Sequence, residues 1–253
     1  MDRLENVKIY VAAHKPFENS GKLPKEYIPI QVGGKGKDEI GFLRDDTGDN
    51  ISEKNGSYCE LTGLYWFWKN SDADVVGLCH YRRYLSSRPL DRKLRSMLSA
   101  EKILDILKTK DIILPKKVNL GRKNVYEHYC AAHYEKDLLT TRKAIETLYP
   151  EFLDDFDAVM KEKKTYQCNM FIAKKTLADE YCKWLFDVLA FVEENTDISG
   201  YDRVQGRIYG YLGERLINVW VRHKKLSVCE KWFASTELTF KAVKTAMKDK
   251  LHK

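Results

Sequence analysis

Hydrophobic and polar positions alternate along this chain in two different patterns. Short apolar runs rich in β-branched and aromatic residues predict strands, at residues 7–13, 28–32, 74–80, 112–114 and 166–173. Apolar positions three or four residues apart predict helices, from residue 57, at about 100–108, over 125–148 in one or two pieces, from about 177 and over about 204–223. Strands that alternate with helices in this way indicate an α/β protein with a mixed, mostly parallel sheet.

The first of these helices has a recognisable start. Ser57 and Glu60 have the spacing of a capping box, in which each side chain bonds to the other's backbone amide, so we expect the helix to begin at Ser57. The glycine-rich stretch 33–37 lacks the spacing and the Ser or Thr of a phosphate-binding loop, and it predicts a flexible surface turn. No Gly/Ser tract or repeat marks a domain boundary.

Composition narrows the class of protein. With 253 residues, 43% of them hydrophobic and 12% aromatic, the chain can bury a large core, which argues against intrinsic disorder. Six cysteines without a CxxC pair predict a reduced, cytoplasmic protein rather than a zinc or disulfide framework. No signal peptide or membrane-spanning segment is recognisable, and the net charge of +7 favours anionic partners.

Basic residues follow three predicted strands, at the edge where ligands of open α/β sheets bind. They are His14 and Lys15 after the first strand, His80, Arg82 and Arg83 after the central strand, and Lys174 and Lys175 after the last. Such side chains bind phosphate, arginine through a two-pronged contact. Neighbouring residues of a straight strand point to opposite faces, so at most one of Arg82 and Arg83 reaches a ligand unless the chain turns there. The alternative for either arginine is an ion pair with a helix.

Acidic candidates are fewer. Asp72 and Asp74 form a DxD pair like that of metal-dependent nucleotide-sugar enzymes, but they precede the strand, so we interpret them as a helix-to-strand turn. The loop 45–50 could hold a cation or sugar hydroxyls, although an Asp/Gly turn is the more common explanation. Glu214 begins an apolar stretch where an unpaired charge is costly, and its alternative role is an ion pair with Arg207 or a cap-like contact.

Two histidines lie in the predicted helical region 125–148. His128 and His133 are five residues apart, so on a straight helix they do not share a face as a metal-binding pair would. A single histidine near the edge of the sheet stays an open option.

The C-terminal segment has a pattern of its own. Apolar residues at steps of three and four form a narrow stripe among lysines, at Phe240, Val243, Met247 and Leu251. Basic amphipathic helices of this kind bind anionic lipid surfaces, so residues 237–253 are expected to dock the protein on the inner face of a membrane. The alternative is a helix that packs its stripe on the domain and solvates its lysines.

Several segments together resemble one family. They are KIYVAAHKPF, YIPIQVG, YCELTGLYWFWKN, DVVGLCHYRRYL, NMFIAKK, YCKWLFDVL and YGYLGERLINVW, and they extend over about residues 7–223. These segments are similar to the bacterial capsular and exopolysaccharide synthesis glycosyltransferases that were long described as a domain of unknown function and that include galactofuranosyltransferases. The resemblance implies a single GT-A-like domain, with a Rossmann-type nucleotide-binding sheet, over residues 1–236.

The resemblance also implies roles for individual residues. Those that it assigns to the nucleotide and its diphosphate are His14, Lys15, His80, Arg82 and Arg83. Those that match the sugar-binding loop are Asp46, Asn50, Ser52, Asn55 and Tyr58. Glu214 and Arg215 match the catalytic ERL motif, and His133 is a further candidate. Because basic side chains stand where a DxD would be, no metal ligand is assigned, and dependence on Mn²⁺ or Mg²⁺ stays open.

The activity implied by the resemblance is transfer of a sugar, galactofuranose or galactose, from a UDP-sugar to a growing capsular, exopolysaccharide or lipid-linked glycan. Cationic groups would stabilise charge on the leaving diphosphate, and a carboxylate would remove the acceptor proton. A nucleic-acid-binding protein would also fit the charge and the aromatic content. Because the aromatic residues fall at helical core spacing, we expect no nucleic acid partner. A catalytically silent scaffold of a polysaccharide assembly complex is the third class.

Overall fold

The structure is a computed structural model that describes residues 6–89, 91 and 93–236. Within these residues the strands are β1 Val7–Ala13, β2 Tyr27–Gln31, β3 Leu43–Arg44, β4 Val75–His80, β5 Arg83–Ser86, β6 Ile112–Pro115, β7 Val118–Asn119, β8 Lys164–Thr165, β9 Phe171–Lys174 and β10 Val228–Ser235. The helices are α1 Asn55–Tyr58, α2 Leu61–Asn70, α3 Ala100–Ile106, α4 Val125–Cys130, α5 Glu135–Leu148, α6 Leu153–Lys161, α7 Lys175–Glu194 and α8 Ile208–His223. The predicted amphipathic segment 237–253 lies outside the described residues, so membrane docking stays a prediction.

Eight strands form one sheet in the order β3-β2-β1-β4-β5-β10-β6-β9, and an additional pairing of β4 with β9 closes a ring of five strands. Of the eight pairings, four are parallel and four are antiparallel. The prediction of a mixed sheet is therefore confirmed, whereas the prediction of a mostly parallel sheet is wrong. One reason is that β5 follows β4 after a two-residue turn, and so short a connection allows only antiparallel pairing.

The predicted capping box at Ser57 is wrong. The Ser57 hydroxyl donates to the carbonyl of Lys54 inside the short helix α1, at 3.2 Å. Cys59 then has a φ of 54° and ends that helix, and α2 begins at Leu61 after Glu60. Because helix α1 ends at Cys59, Glu60 does not bond back to Ser57. The Glu60 carboxylate instead accepts a hydrogen bond from Asn169, as described below.

The predicted strand 166–173 is shorter in the structure, because only Phe171–Lys174 pairs with neighbouring strands. Cys168 and Asn169 have φ values of 73° and 49°, a left-handed backbone that cannot continue a strand. The residues before β9 therefore form an irregular segment at the edge of the sheet.

Two buried apolar clusters lie on the two faces of the sheet. The side chains of β1 alternate between them, with Tyr10 in the larger cluster and Ile9 in the smaller. Helices α7 and α8 contribute their apolar faces to the larger cluster, where the rings of Trp184 and Trp220 lie 5.5 Å apart. The two long helices predicted from apolar spacing are thus confirmed. In the described part of the chain, no helix is both long and apolar enough to cross a membrane.

Candidate active site

The carboxyl ends of β1 and β4 lie side by side, because the two strands are parallel and Ala12 pairs with His80. The chain then turns at Tyr81 and Arg82 and returns as β5, with Arg83 paired to His80. This hairpin decides the question that the sequence left open about the two neighbouring arginines. Arg82 lies in the turn and Arg83 on the returning strand, so the two side chains serve different parts of the site.

A basic rim consists of His14, Lys15, Lys37, Arg82 and Arg207. The His14 ring meets Tyr81 edge to face at 5.3 Å, and the Arg82 guanidinium carbon lies 4.9 Å from the centre of the Tyr81 ring. Burial lowers the pKa of His14, and the charges of Lys15, Arg82, Lys37 and Arg207 lower it further. Five side chains therefore share one electropositive edge, which favours a polyanionic ligand.

His80 and Arg83 hold the irregular segment before β9. His80 Nε2 lies 2.6 Å from the carbonyl oxygen of Cys168, and because a carbonyl only accepts, that nitrogen carries the hydrogen. Arg83 Nη1 donates to the Sγ atom of Cys168 at 3.4 Å. His80 and Arg83 are two of the five residues that were predicted to bind the diphosphate, and in the structure both contact the Cys168 segment.

Glu214 is held in the second turn of α8, with both carboxylate oxygens in contact with protein. Its Oε1 accepts a hydrogen bond from the backbone amide of Cys168 at 2.9 Å, and its Oε2 pairs with Arg215 Nη1 at 2.9 Å. Burial raises the pKa of Glu214, the charge of Arg215 opposes that shift, and the nearby Glu60 reinforces it. The partner of Glu214 is Arg215, so the alternative of an ion pair with Arg207 is wrong.

Glu60 joins Glu214 from the start of α2. Its Oε1 accepts from Asn169 Nδ2 at 2.8 Å and lies 4.0 Å from His80 Nε2. Asn169 Nδ2 also donates to the carbonyl of Gly210 on α8, at 2.9 Å. We call Glu60, Glu214, His80, Cys168 and Asn169 the acid cluster.

A glycine allows α8 to approach this cluster closely. A Cβ atom added at Gly213 would lie 2.8 Å from Asn169 Oδ1, which is tighter than van der Waals contact permits. The side chain of Asn169 is therefore fixed by α2 on one side and by α8 on the other. The buried carboxylates depend on this packing for their positions.

The five residues predicted to bind sugar make their contacts within the protein. Asp46 receives two hydrogen bonds from Arg44, at 2.6 and 3.0 Å, and Tyr58 donates to Glu193 at 3.0 Å. Asn50 donates to the carbonyl of Gly48, and Asn55 donates to the carbonyl of Cys59. Ser52 is buried and donates to Asp45, as described next. These contacts fix the shape of the loop.

Asp45 is the centre of that loop. Its fully buried carboxylate accepts from the backbone amides of Gly33 and Gly34, at 2.8 and 2.9 Å. It also accepts from the hydroxyls of Ser52 and Thr62, at 2.5 and 2.6 Å. The prediction of a flexible surface turn is therefore wrong for Gly33 and Gly34, which are buried and hydrogen-bonded, although the rest of the stretch is exposed.

His133 lies beside the basic rim. Its ring stacks on Tyr211 with centroids 4.0 Å apart, and its Nδ1 lies 3.2 Å from Gln205 Oε1. Burial lowers the pKa of His133, and the charge of Arg215 adds to that shift. Arg207 stands over the same Tyr211 ring at 5.6 Å. A role of His133 at the site stays a prediction.

The DxD pair lies at the opposite end of β4, and so do the lysines after β9. Because β9 runs antiparallel to β4 and Lys174 pairs with Val75, the prediction that Lys174 and Lys175 belong to the ligand-binding edge is wrong. Asp72 pairs with Lys8 at 2.5 Å, and Asp74 Oδ2 accepts from the backbone amide of Asn6 at 3.0 Å. The interpretation of a helix-to-strand turn is therefore confirmed. Across the residues that the structure describes, no three His, Cys, Asp or Glu side chains are grouped so as to hold a metal ion.

Sequence reasoning missed five residues of the site, namely Lys37, Glu60, Arg207, Cys168 and Asn169. Glu60 was assigned to a capping box, and Arg207 was considered only as a partner of Glu214. Cys168 and Asn169 were placed inside a strand. A polar Asn within an otherwise apolar run was the one local signal of an irregular segment.

The basic side chains at the carboxyl ends of β1 and β4, with the partly buried carboxylates Glu60 and Glu214 nearby, lie at the edge where ligands of open α/β sheets bind. The chain belongs to a family described as a domain of unknown function (DUF4422), which matches residues 8–225. The family recognised from the sequence motifs is thereby confirmed.

A solved structure gives a second comparison. The chain is similar to the apo structure of the bifunctional glycosyltransferase WbbM, with 34% sequence identity and a TM-score of 0.83. The similarity covers 92% of this chain and 46% of that one, so this chain spans about half the length of WbbM. A search of curated proteins found no match to the sequence.

Proposed function

We propose that the protein is a glycosyltransferase that moves a sugar from a nucleotide-sugar donor to a glycan. The observation that carries this proposal is that the basic rim lies close enough to the acid cluster for the charges of Arg207 and Glu60 to interact. Arg207 joins them, because its Nε donates to Cys59 Sγ at 3.1 Å, beside Glu60, while its charge lowers the pKa of His14. A group that binds diphosphate and a group that accepts a proton are thus neighbours. The similarity to WbbM supports the same reaction class.

At the donor end, the basic rim would hold the diphosphate. Arg82, Lys15 and Arg207 would stabilise the negative charge that develops on the leaving UDP, and His14 would donate a hydrogen bond to it. In a GT-A-like fold these cations would take the place of a DxD pair. A divalent ion, where one is bound, would neutralise the same charge, and we derive no step that depends on it.

At the acceptor end, Glu214 would remove the proton from the attacking hydroxyl. A carboxylate whose pKa is raised by burial is a better base at neutral pH than an exposed one. Arg215 would orient Glu214, and Glu60, His80 and Asn169 would keep the cluster in place. The attacking oxygen would then form its bond to the anomeric carbon as the bond to UDP breaks.

The finer parts of the proposal concern the substrates. The donor would carry galactofuranose or galactose on UDP, and the acceptor would be a growing capsular or exopolysaccharide glycan, free or linked to lipid. A lipid-linked acceptor would give membrane docking by residues 237–253 a purpose.

Binding and turnover test the proposal. We expect UDP to bind the full chain in isothermal titration, and UDP-galactofuranose or UDP-galactose to raise its melting temperature, with and without Mn²⁺. A short single-stranded oligonucleotide is the comparison ligand, because a nucleic-acid-binding protein would bind it in a salt-dependent manner. Salt-dependent oligonucleotide binding with no response to UDP would contradict the proposal. UDP binding without release of UDP from any donor would favour the silent scaffold.

A further inference from the structure

A second polar and aromatic cavity lies close to the candidate active site. It measures about 400 Å³, and its lining consists of Tyr134, Lys136, Asp197, Ser199, Gly200 and Tyr201. Tyr134 is 45% exposed, which is a large exposure for an aromatic ring. A cavity of this size, with exposed aromatic surface and a few polar groups, has the properties of a small-ligand site.

The aromatic pair in this cavity is held rigidly. The Tyr201 hydroxyl donates to Oδ1 of Asp137, a buried residue of α5, at 2.5 Å. The Tyr134 ring meets the Tyr201 ring at 4.8 Å and an interplanar angle of 60°. Asp197 Oδ1 accepts from the backbone amide of Ser199 at 2.9 Å, which fixes the loop behind the rings. A ligand would therefore find the rings already in place.

The groups around the rings indicate the chemistry of the ligand. Lys136 stands over both rings, 4.8 Å from the centre of Tyr201 and 5.7 Å from that of Tyr134. It supplies hydrogen-bond donors on a long flexible chain, and Asp197 supplies acceptors in the same cavity. One positive and one negative group do not select for phosphate. Aromatic faces with both donors and acceptors suit a sugar ring, which has an apolar C–H face and a rim of hydroxyls.

A continuous set of contacts leads from this cavity to the candidate active site. Tyr134 follows His133 directly in the chain, and the His133 ring stacks on Tyr211. Gln205 joins the same region, since its Nε2 donates to the carbonyl of Ala132 at 2.8 Å. Arg207 covers Tyr211 and contacts Cys59, which precedes Glu60. These contacts connect the aromatic cavity to the residue next to Glu60, which neighbours the proposed base.

We propose that the cavity formed by Tyr134 and Tyr201 is an acceptor subsite, which binds a sugar of the glycan away from the hydroxyl that reacts. This inference rests on the proposed function. It adds that the substrate is an oligosaccharide chain rather than a single sugar, because a monosaccharide at the base would not reach a second aromatic site.

Saturation-transfer NMR with oligosaccharide probes tests the subsite. The probes are tetrasaccharides of galactose, of glucose and of mannose, because the apolar face of a pyranose ring is common to all three. The variants are Tyr134→Ala and Tyr134→Phe, and Leu148→Ala is the control, since Leu148 is a similarly exposed apolar residue at the other end of α5. Tyr134 makes no side-chain cap to α5, so its truncation leaves the helix start intact.

We expect at least one tetrasaccharide to bind the wild-type chain, and Tyr134→Ala to weaken it roughly 3- to 10-fold. Tyr134→Phe keeps the ring face and should bind like wild type, as should Leu148→Ala. The affinity for UDP should be equal in all four proteins. Equal tetrasaccharide binding by Tyr134→Ala and wild type would overturn the subsite. So would a result in which none of the three tetrasaccharides binds the wild-type chain at about 10 mM. If the tetrasaccharide depends on Tyr134 but UDP does not bind, the proposed function fails and the sugar site stands.

Discussion

Asp45 and Glu214 are both carboxylates in the interior of this protein, yet their surroundings differ. Asp45 accepts hydrogen bonds from two backbone amides and two hydroxyls, none of them charged, and it is wholly enclosed. Glu214 accepts from one amide and pairs with Arg215, while a second carboxylate, Glu60, stands close enough to raise its pKa. About a fifth of its side chain is exposed.

The difference is consistent with a structural role for Asp45 and with the proposed catalytic role of Glu214. Four fixed donors stabilise the charge of Asp45 and leave it no task beyond holding the loop in place. At Glu214, burial and the charge of Glu60 raise the pKa of the carboxyl group. An acid that is held in position and readily protonated is suited to proton transfer.

The largest effect is expected for Asp45→Asn, which tests the structural role of the first carboxylate. Asp45→Asn places an amide against the backbone N–H of Gly33 or Gly34 and removes a charge that four donors stabilise. We expect the free energy of unfolding to fall by about 3–5 kcal/mol, measured by chemical denaturation. The kcat per folded molecule should stay close to that of wild type. A variant as stable as wild type would show that the Asp45 contacts do not hold the loop.

Glu214→Gln tests the proposed catalytic role of the second carboxylate. The amide still accepts from Cys168 but cannot take up a proton, so kcat should fall roughly 100-fold or more, with little change in the affinity for UDP. The loss of stability should be smaller than for Asp45→Asn, because the remaining amide oxygen can still accept a hydrogen bond and the repulsion from Glu60 is relieved. Steady-state release of UDP measures the rate. Turnover near the wild-type rate would transfer the role of base to Glu60, and Glu60→Gln is then the variant to measure.

The pH profile gives an independent reading of Glu214. Because its pKa is raised above 4.5, the active carboxylate is lost at a higher pH than an exposed glutamate would be. We therefore expect kcat of the wild type to fall with decreasing pH on an acid limb that begins above 4.5. The residual activity of Glu214→Gln should lack that limb.

Variants of the two neighbouring arginines test whether the donor binds to the basic rim rather than to the acid cluster. Arg82→Ala removes a cation from the basic rim, and we expect donor binding to weaken by about 1.5–3 kcal/mol. Arg83 contacts the Cys168 segment, so Arg83→Ala should change donor affinity less. Arg88→Ala is the control for net charge, because Arg88 is an exposed arginine beyond the far end of β5. Equal losses in all three variants would mean that long-range charge, not the rim, attracts the donor.

The smallest effect concerns His14. Burial and neighbouring cations lower its pKa below 6.5, so it is neutral in the free protein at neutral pH. A bound diphosphate favours the charged form and raises that pKa, so binding takes up a proton and the affinity for UDP should increase as the pH falls. We expect a modest increase, about 3-fold between pH 8 and pH 6, in isothermal titration. His14→Asn should show no such increase.

Local patterns in the sequence predicted five of the ten described strands and the two longest helices, but they missed α6 and β10, the strand that lies between β5 and β6 in the sheet. Apolar spacing identified β1, β4, α7 and α8, because each buries one face or both and its side chains record that burial directly. The same patterns failed at Cys59 and at Cys168–Asn169, where positive φ values break an otherwise regular run. Backbone reversals of this kind leave little trace when no glycine marks them.

Only the tertiary structure decided that β9 runs antiparallel to β4, which puts Lys174 beside Val75 at the opposite edge of the sheet. The sequence by itself determined that basic residues directly follow β1 and β4, because the position after a strand is a local property. It also determined that Glu214 begins an apolar helix face. Tertiary structure alone brought Glu60 to Glu214, through Asn169, which lies 109 residues from Glu60 and contacts α8 at Gly210. The contact depends on how closely α8 packs on α2. The apolar periodicity of each helix shows which face is buried, but not which distant surface that face packs against.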